Sequence, residues 1–220
     1  MKRTFAIGDI HGCAATFNYM LFEELKIQKE DEIYCLGDYV DRGNDSKGVV
    51  DLILFLREKG YAIHTLRGNH EQMMLESMKS QEDFYLWFKN GGGATLQSFA
   101  VDFYTDMPLP YKTFFEQTEY YLETPEYIFV HAGLNFYSEN IFEDKDAMLW
   151  ARDFECPESL PGNKILIHGH TPRPLQFILE QKSNCINIDG GCVYKEHKKF
   201  GNLVALNLAD KKYHVVKCLD

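Results

Sequence analysis

The stretch TFAIGDIHG, residues 4–12, ends an apolar run with two polar side chains that lie two positions apart. Its first four residues are typical of a short buried strand, and side chains at positions i and i+2 of a strand point to the same side. If the backbone stays extended, Asp9 and His11 converge at the carboxyl end of that strand. Gly8 and Gly12 allow a sharp turn and a close approach of the backbone. The pattern predicts either an ion pair or a metal site.

The same arrangement follows four later apolar runs. These read YCLGDYVDRG (34–43), HTLRGNHE (64–71), YIFVHAG (127–133) and ILIHGHTP (165–172). In α/β sheets, ligands bind beyond the carboxyl ends of the strands, where such loops meet. Five of the eight histidines stand in these strand-end motifs, which packing alone does not explain. The repetition favours a metal site over an isolated ion pair.

The order of apolar runs predicts an α/β fold. Strand, helix, strand, helix and strand within the first 66 residues indicate βαβ units and a partly parallel sheet. Residues 71–119 predict a small helical insertion, the last third predicts antiparallel strands, and we expect one domain over 1–220. The predicted helices cover 14–25 and 46–59. The predicted strands are 4–7, 32–36, 62–66, 127–130, 164–167, 185–188, 203–208 and 213–216.

Composition limits the class of protein. A net charge of −10 and a pI near 5.3 argue against a broad nucleic-acid-binding face. No apolar run approaches the length of a membrane span, and the N-terminus has no secretory pattern, so we expect a cytoplasmic protein with no membrane partner. The six cysteines form no C-x-x-C pair. We therefore expect a reducing compartment without a disulfide framework, and Cys185 in an apolar strand is predicted to act as a small hydrophobe.

The polar residues of the motifs suit divalent cations. Asp, His and Asn are ligands for Mn²⁺, Fe or Zn²⁺, and the motifs offer no set of thiolates for a closed structural zinc site. Two cations about 3.5–4 Å apart can stabilise both the attacking and the leaving oxygen of an in-line displacement. Arg42, Arg67 and Arg152 add guanidinium groups, which bind phosphate in preference to a neutral ligand. These features predict a phosphoester substrate.

Taken together, GDIHG, GDYVDRG, RGNHE, HAG and HGHTP resemble the signature of the phosphoprotein phosphatase (PPP) family of calcineurin-like metallophosphoesterases. The motifs run from Gly8 to Pro172, and the chain is similar to the bacterial and phage serine/threonine protein phosphatases of that family. The resemblance implies the calcineurin-like αβ-sandwich, in which two mixed β-sheets are flanked by helices and the site lies at one end.

The resemblance also implies a role for each matching residue. His70 would be the general acid, oriented by Asp41, after in-line attack by a metal-bridging hydroxide. Phosphate would be bound by Arg42, with Arg152 and Arg67 as looser matches. The cofactors would be two divalent metal ions, Mn²⁺ first and Fe or Zn²⁺ as alternatives. The implied metal ligands are Asp9, His11, Asp38, Asn69, His131 and His170.

Three functions stay open from the sequence. The first is a phosphatase acting on phosphoproteins or small phosphoesters. The second is a symmetrical dinucleoside polyphosphate (Ap4A) hydrolase; such relatives tend to lack the aspartate that stands here as Asp41, which favours the first. The third is an inactive scaffold, which the complete set of implied ligands disfavours. Physiological substrate, native metal and oligomeric state are not indicated by the sequence.

Overall fold

Two mixed β-sheets pack face to face in this protein, for which a computed structural model describes residues 2–220. The strands are β1 (Thr4–Ile7), β2 (Glu32–Cys35), β3 (Ala62–Thr65), β4 (Tyr121–Glu123), β5 (Tyr127–Val130), β6 (Ile165–His168), β7 (Cys185–Asn187), β8 (Asn202–Asn207) and β9 (Lys212–Lys217). The helices are α1 (Ala14–Tyr19), α2 (Ser46–Glu58), α3 (Asn69–Glu76), α4 (Gln81–Trp87), α5 (Gly93–Phe99), α6 (Leu109–Glu116), α7 (Lys145–Trp150) and α8 (Leu175–Glu180). Wider π-helical turns extend α1 through Met20–Glu24 and join α4 to α5 through Phe88–Gly92.

The strand order of the two sheets confirms the predicted mixed α/β sandwich. The first sheet has the order β3-β2-β1-β8-β9, with β1 to β3 parallel and the last two strands antiparallel to their neighbours. The second sheet has the order β4-β5-β6-β7, in which only β4 is antiparallel. The carboxyl ends of five parallel strands that carry the motifs therefore lie toward the same end of the sandwich.

The prediction of antiparallel strands throughout the last third is wrong for β6 and β7. β6 runs parallel to β7 and to β5, which precedes the last third, and α7 and α8 lie in the crossovers between these strands. Both helices have only six residues. A segment of that length gives too few turns for a 3.6-residue pattern to stand out from the flanking loops.

Alternating residues of the strands fill two apolar layers, as the two-residue period of a strand requires. Ala6 and Tyr34 of the first sheet face Phe129 and Ile167 of the second, and the Tyr34 ring stacks on that of Phe129 with centroids 4.2 Å apart. The opposite face of the first sheet packs against α1, α2 and the helical segment. Because β1 is covered on both faces, its sequence reads as a continuous apolar run.

The predicted helical insertion is present as α3 to α6. It begins at Asn69, two residues before the predicted boundary, so the RGNHE motif lies at the first turn of α3. This segment packs against α2 through Leu96 and Phe99. The insertion therefore touches the motif loops and is not a separate appendage.

One expectation about cysteine is wrong. Cys185, predicted to be a free apolar side chain of β7, forms a disulfide with Cys156. The loop after α7 brings Cys156 against this edge strand, a contact between positions 29 residues apart that strand patterning does not reveal. The other four cysteines are free. Within residues 2–220, no helix is long and apolar enough to cross a membrane.

Candidate metal centre and active site

The GDIHG and GDYVDRG loops lie directly against each other. Backbone N–H groups of His11 and Gly12 donate to the carbonyls of Asp38 and Tyr39, at 2.8 Å each. The two closing glycines meet at the crossing: a Cβ on Gly12, whose φ is +64°, would lie 2.8 Å from the carbonyl oxygen of Gly43. Glycine is required there because the two backbones approach more closely than any side chain permits.

The backbone of the motif loops is strained where functional side chains are presented. Nine non-glycine residues among those described have positive φ, and five of them are predicted site residues. These five are His11, Asp38, Asp41, Arg42 and His170. Each such conformation costs about 1–3 kcal/mol, so the surrounding hydrogen bonds must hold it in place. The clustering of strain at these positions is typical of a functional site.

Asp38 lies between two imidazoles. Its Oδ2 is 3.3 Å from His11 Nε2 and 3.5 Å from His131 Nε2. Both rings use Nδ1 at 2.9 Å from a backbone carbonyl, that of Val40 for His11 and that of Leu36 for His131. In the neutral rings this fixes the proton on Nδ1 and leaves both Nε2 lone pairs directed at the carboxylate.

A second group of acceptors adjoins the first. Asn69 Oδ1 lies 3.0 Å from His131 Nε2 and 2.8 Å from His170 Nδ1, and the two ring nitrogens are 3.2 Å apart. A single ring proton, that of His170, is available to these three atoms. His170 Nε2 is buried and has no hydrogen-bond partner among the described residues. Concentrated lone pairs with so few donors fit a cation site.

Burial keeps these histidines in the form that binds metal. It lowers the pKa values of His11 and His131, and it lowers the pKa of His170 to about 3, with the neighbouring His131 acting in the same direction. Burial acts to raise the pKa of Asp38, but the surrounding imidazoles outweigh it and lower the pKa. The site thus offers neutral rings around an ionised carboxylate, the donor set of Mn²⁺, Fe or Zn²⁺.

Two groups of possible ligands share one residue. His11, Asp38 and His70 form one group, and Asp38, His131 and His170 form the other. A carboxylate that is common to two such groups suits a pair of neighbouring cations. Asp9 is buried beside them, and its carboxylate accepts the backbone N–H of His170 at 3.1 Å. Burial, with Asp189 and Asp38 nearby, raises the pKa of Asp9 well above its usual range.

His70 and Asp41 form a buried pair. His70 Nδ1 lies 2.7 Å from Asp41 Oδ2, and both side chains are almost fully buried. Burial by itself lowers the pKa of His70, but Asp38 and Asp41 outweigh it and raise the pKa. The imidazole is therefore favoured in its protonated form, with Nδ1–H held by Asp41 and the other ring nitrogen free to donate a proton.

The helical insertion supports this pair in a way that the sequence patterns did not indicate. Trp87 Nε1 donates to both oxygens of Asp41, at 3.1 and 3.0 Å, and the Thr95 hydroxyl donates to Asp41 Oδ1 at 2.6 Å. Trp87 is fully buried in the core, and it also positions Asp41. Its indole N–H could have been suspected, because a buried tryptophan normally has a hydrogen-bond acceptor.

Glu71 is a second residue that the motif analysis left without a role. Its buried carboxylate accepts the backbone N–H groups of Asp38 and Tyr39, both at 2.8 Å, and that of Gly68 at 2.9 Å. It thereby fastens the GDYVDRG loop to the start of α3. The RGNHE sequence itself carried the signal, because a glutamate in the first turn of a helix can accept N–H groups near the helix start.

The three predicted phosphate-binding arginines occupy different surroundings. Arg42 lies in the site, where Nη1 is 2.6 Å from His11 Nε2 and the guanidinium is 5.8 Å from the centroid of the Tyr194 ring. Arg152 lies close enough to His170 to lower its pKa, and it lines a groove described below. Arg67 is not brought to the site. Its guanidinium donates to the carbonyls of Phe115 and Glu116 at the end of α6.

The Arg67 prediction therefore conflicts with the structure. Its remaining guanidinium nitrogens donate to side chains of Gln72, Thr118 and Tyr120. Every nitrogen of the group is engaged with the insertion or the following segment. The physical reason lies far along the chain: the carbonyls of Phe115 and Glu116, 48 and 49 positions away at the end of α6, accept from the Arg67 guanidinium.

An open groove of about 740 Å³ adjoins the site. Trp150 lies on its wall, and its ring centroid is 6.2 Å from that of His170. Two arginines, Arg152 and Arg173, line it together with Phe136 and Tyr137. Four carboxylates, those of Asp144, Asp146, Asp153 and Glu155, also line the groove, so a substrate larger than phosphate can extend from the site across a surface of aromatic rings and charges of both signs.

Comparison with known proteins identifies the family. The model of the calcineurin-like phosphoesterase family matches residues 2–215. The chain belongs to this family. The family and fold predicted from the motifs are thereby confirmed, and the neutral imidazoles and carboxylates described above fit its divalent metals.

Relatives with curated names include phosphatases of both predicted kinds. Serine/threonine-protein phosphatase 1 of Salmonella typhimurium is 38% identical over 91 residues, 41% of this chain and 39% of that protein. Serine/threonine-protein phosphatase 2 of the same organism is 26% identical over 176 residues, 76% of each chain. A symmetrical bis(5'-nucleosyl)-tetraphosphatase of Pectobacterium carotovorum is 32% identical over 72 residues, 33% of this chain and 25% of that protein. The matches to the first and third therefore span well under half of those proteins.

Solved structures share the fold at low sequence identity. A structure assigned as a diadenosine tetraphosphatase has a TM-score of 0.65 and 19% identity, covering 100% of this chain and 95% of that one. A metallophosphoesterase from Sphaerobacter thermophilus has a TM-score of 0.60 and 14% identity, covering 98% and 87%. These likenesses support the fold and leave the substrate undecided.

Proposed function

We propose that this protein is a metal-dependent phosphomonoesterase that acts on phosphoserine and phosphothreonine in proteins or on small phosphoesters. The observation that carries the proposal is the buried His70–Asp41 pair beside Asp38, whose carboxylate lies between the imidazoles of His11 and His131. It is supported by the family match and by the two relatives named as serine/threonine phosphatases.

Six residues are proposed to hold two divalent cations, with Mn²⁺ first and Fe or Zn²⁺ as alternatives. They are Asp9, His11, Asp38, Asn69, His131 and His170. When bound, such a pair of cations supplies Lewis-acid polarisation of the phosphoryl oxygens and lowers the pKa of water. The histidines hold their lone pairs toward the centre because backbone carbonyls fix the opposite ring nitrogens of His11 and His131.

His70 is proposed to protonate the leaving oxygen. Asp41 holds His70 Nδ1–H at 2.7 Å, and the insertion residues Trp87 and Thr95 hold Asp41. Arg42 is proposed to bind the phosphoryl oxygens, and Arg152 to extend that binding toward the groove. A guanidinium group can form two parallel hydrogen bonds to phosphate, which orients it for in-line displacement.

The leaving group distinguishes the two candidate substrates. An alkoxide from serine is a poor leaving group and needs a proton in the transition state, whereas a nucleotide phosphate leaves as a stabilised anion. A protonated imidazole with a raised pKa is therefore of most use with a phosphomonoester of serine or threonine. This argument favours the phosphatase over the tetraphosphatase.

The direct test is a substrate panel with added Mn²⁺. Phosphoserine peptide, p-nitrophenyl phosphate and diadenosine tetraphosphate are compared by kcat/KM, with Asp38→Asn as the control for contaminating phosphatases. We expect the peptide to exceed diadenosine tetraphosphate. Faster cleavage of the dinucleotide, or equal rates in the Asp38→Asn preparation, would refute the proposal.

A tetraphosphatase is the second candidate, and the groove is the observation that favours it. Trp150 and Tyr137 can stack on a base, while Arg152 and Arg173 can bind a phosphate chain. Stacking of a base on an aromatic ring contributes about 1–3 kcal/mol. If the dinucleotide is the better substrate, Trp150→Ala should raise its KM and leave the KM for p-nitrophenyl phosphate unchanged.

The partners and location are also proposals. The groove accepts a phosphoprotein segment or a small phosphoester, and the acidic charge gives no basis for a nucleic-acid or membrane partner. A reducing, cytoplasmic location remains a prediction, and the Cys156–Cys185 disulfide weighs against it. We make no proposal about the oligomeric state.

A further inference from the structure

The side chains of three of the four free cysteines lie close together, next to the GDIHG loop. Cys13 follows the GDIHG motif, Cys192 lies between β7 and β8, and Cys218 follows β9. Their sulfur atoms all lie within 4.8 Å of one another, and those of Cys13 and Cys218 are 3.9 Å apart. The fourth free cysteine, Cys35, lies in the core and belongs to no such group among the described residues.

The C-terminal segment is held firmly where Cys218 enters this group. The Cys218 N–H donates to the carbonyl of Gly201, and the Leu219 N–H donates to the Thr16 hydroxyl, both at 2.8 Å. The Asp220 carboxylate accepts the N–H groups at the start of α1, including that of Thr16 at 2.9 Å. Contacts on both sides of Cys218 therefore fix its position relative to Cys13.

The spacing of the sulfur atoms matches that of a thiolate-ligated cation. With a Zn–S bond of about 2.3 Å, two thiolates of a tetrahedral site lie about 3.8 Å apart. The observed 3.9 Å is close to that value, and it is much longer than a disulfide bond of about 2.05 Å. The other two sulfur–sulfur distances are at most 4.8 Å, so all three atoms lie close enough to approach one cation.

The exposure of the three cysteines and the ionisation of Cys218 also favour metal binding. Cys13 and Cys192 are each 1% exposed, whereas Cys218 is partly exposed and leaves a route from solvent for the cation and for a fourth ligand such as water. Hydrogen bonds from the Cys192 thiol, the Asp220 N–H and the Thr16 hydroxyl lower the pKa of Cys218 to about 5. One thiolate is thus favoured before any cation binds.

We propose that Cys13, Cys192 and Cys218 form a thiolate site for one soft cation of the Zn²⁺ or Cu⁺ class, separate from the predicted active-site cations. On binding, up to three sulfur–metal bonds form, and the thiol protons pass to the buffer. Soft thiolate ligands select such cations over Mn²⁺. The bound cation would join the loop that carries His11 to the C-terminal segment.

The test is titration with Cd²⁺ in oxygen-free buffer without a reductant, which leaves the Cys156–Cys185 disulfide closed, followed by the ultraviolet sulfur-to-metal charge-transfer band. The predicted active-site ligands are nitrogen and oxygen atoms, so this band reports only on cysteine. We expect a band that saturates at one equivalent of thiolate-bound Cd²⁺, is lost in Cys218→Ser, and is unchanged in the matched control Cys35→Ser. Competition of Zn²⁺ and of Cu⁺ with bound Cd²⁺ then shows which of these two cations the site binds more tightly.

Cys218→Ser replaces a partly exposed residue near the C-terminus, and circular dichroism verifies that the variant folds. Should it not fold, Cys218→Ala and modification of Cys218 by a small alkylating reagent remove the same ligand. Absence of a band in the folded wild type would overturn the proposal. A band that survives in either Cys218 variant, or a cluster that only forms a Cys13–Cys218 disulfide on mild oxidation, would overturn it as well.

Discussion

The predicted metal centre and the predicted acid pair adjoin each other, but their polar atoms differ in whether the protein provides hydrogen-bond partners for them. Around Asp38, its Oδ2 lies near the Nε2 atoms of His11 and His131, of which that of His11 also meets Arg42 Nη1, and the buried Nε2 of His170 has no partner among the described residues. Around Asp41, every contact pairs a donor with an acceptor, through His70, Trp87 and Thr95. The first group fits a cation site, whereas the second is completed by the protein.

This difference follows from where the supporting residues come from. The predicted ligands of the centre are carried by five strand-end loops, and their polar atoms face one another. The acid pair is enclosed by the helical insertion, which provides an indole and a hydroxyl at hydrogen-bond distance. Removing the cations should therefore disturb the first group strongly, and small changes in the insertion should disturb only the second.

The largest effect is expected from removal of metal. Divalent cations contribute several kcal/mol of transition-state stabilisation, so a chelator should reduce activity by at least ~10³-fold on every phosphoester. At a free Mn²⁺ concentration of about 100 times Kd, binding stabilises the fold by about 2.7 kcal/mol, which predicts a rise in Tm of roughly 5–10 °C. Activity assays and calorimetry, with Mn²⁺ added back, check both. Unchanged melting and activity after chelation would contradict the assignment of the centre.

The next largest effect is expected from variants of the neighbours Asn69 and His70, which have different proposed roles. His70→Asn should retain its metals and lose ~10²–10⁴-fold on phosphoserine peptide, with a smaller loss on p-nitrophenyl phosphate, whose leaving group needs no proton. Asn69→Ala is the matched control: it should lower metal content and reduce activity equally on both substrates. Equal losses in His70→Asn with metal content intact would indicate that His70 positions phosphate, and loss of metal would assign His70 to the ligands.

The motifs predicted this division of roles because they are local. Asn69 and His70 are adjacent in the chain, and the strand before them fixes where both side chains emerge. Trp87 and Thr95 could not be assigned in the same way, since they reach Asp41 across 46 and 54 positions through the packing of α4 and α5. The same limit explains Arg67 and Cys185, whose partners Glu116 and Cys156 lie in segments with no motif.

A smaller effect is expected from the residues that act through His70. Asp41→Asn should follow the leaving-group pattern of His70→Asn in milder form, because it removes the charge that keeps the imidazole protonated. Trp87→Phe removes a hydrogen bond to a buried carboxylate, which contributes about 1.5–3 kcal/mol, so we expect about a 10-fold loss on phosphoserine peptide.

The control for this pair of variants is Trp150→Phe, which alters the groove wall and leaves Asp41 untouched. It should raise the KM for the peptide and leave kcat unchanged on both substrates. If Trp87→Phe loses no more activity on phosphoserine peptide than on p-nitrophenyl phosphate, the role of Trp87 is confined to packing. Thermal unfolding of each variant separates that outcome from general loss of fold.

The smallest effect is a pH dependence of stability that belongs to the metal-free centre. Burial raises the pKa of Asp189 to about 7 and raises that of Asp9 well above its usual range. A carboxyl group whose pKa is higher in the folded state binds protons more tightly there, so its contribution to stability is full below the unfolded value and is lost as pH rises through the folded value. His70, whose pKa is also raised, acts in the same direction. The histidines with lowered pKa values act in the opposite direction, but only below their unfolded pKa of about 6.5.

In a Cys218→Ser background, which removes the opposing contribution of a thiol whose pKa is lowered to about 5, the free energy of unfolding of the chelated protein should therefore fall between pH 6.5 and 8.5, by the order of 1 kcal/mol for Asp189. Urea unfolding at three pH values in this window measures the slope. Asp189→Asn should flatten it, because the amide keeps the acceptor for the Gly191 N–H without a titratable proton. Asp210→Asn, which removes an exposed carboxylate in the turn between β8 and β9, is the control that should leave the slope unchanged.

Added Mn²⁺ should also flatten the slope of stability against pH, since a nearby cation favours the ionised carboxylates at every pH in the window. A slope that is the same with and without Mn²⁺ would show that these carboxylates do not face the cations, and the comparison between the two regions would then fail.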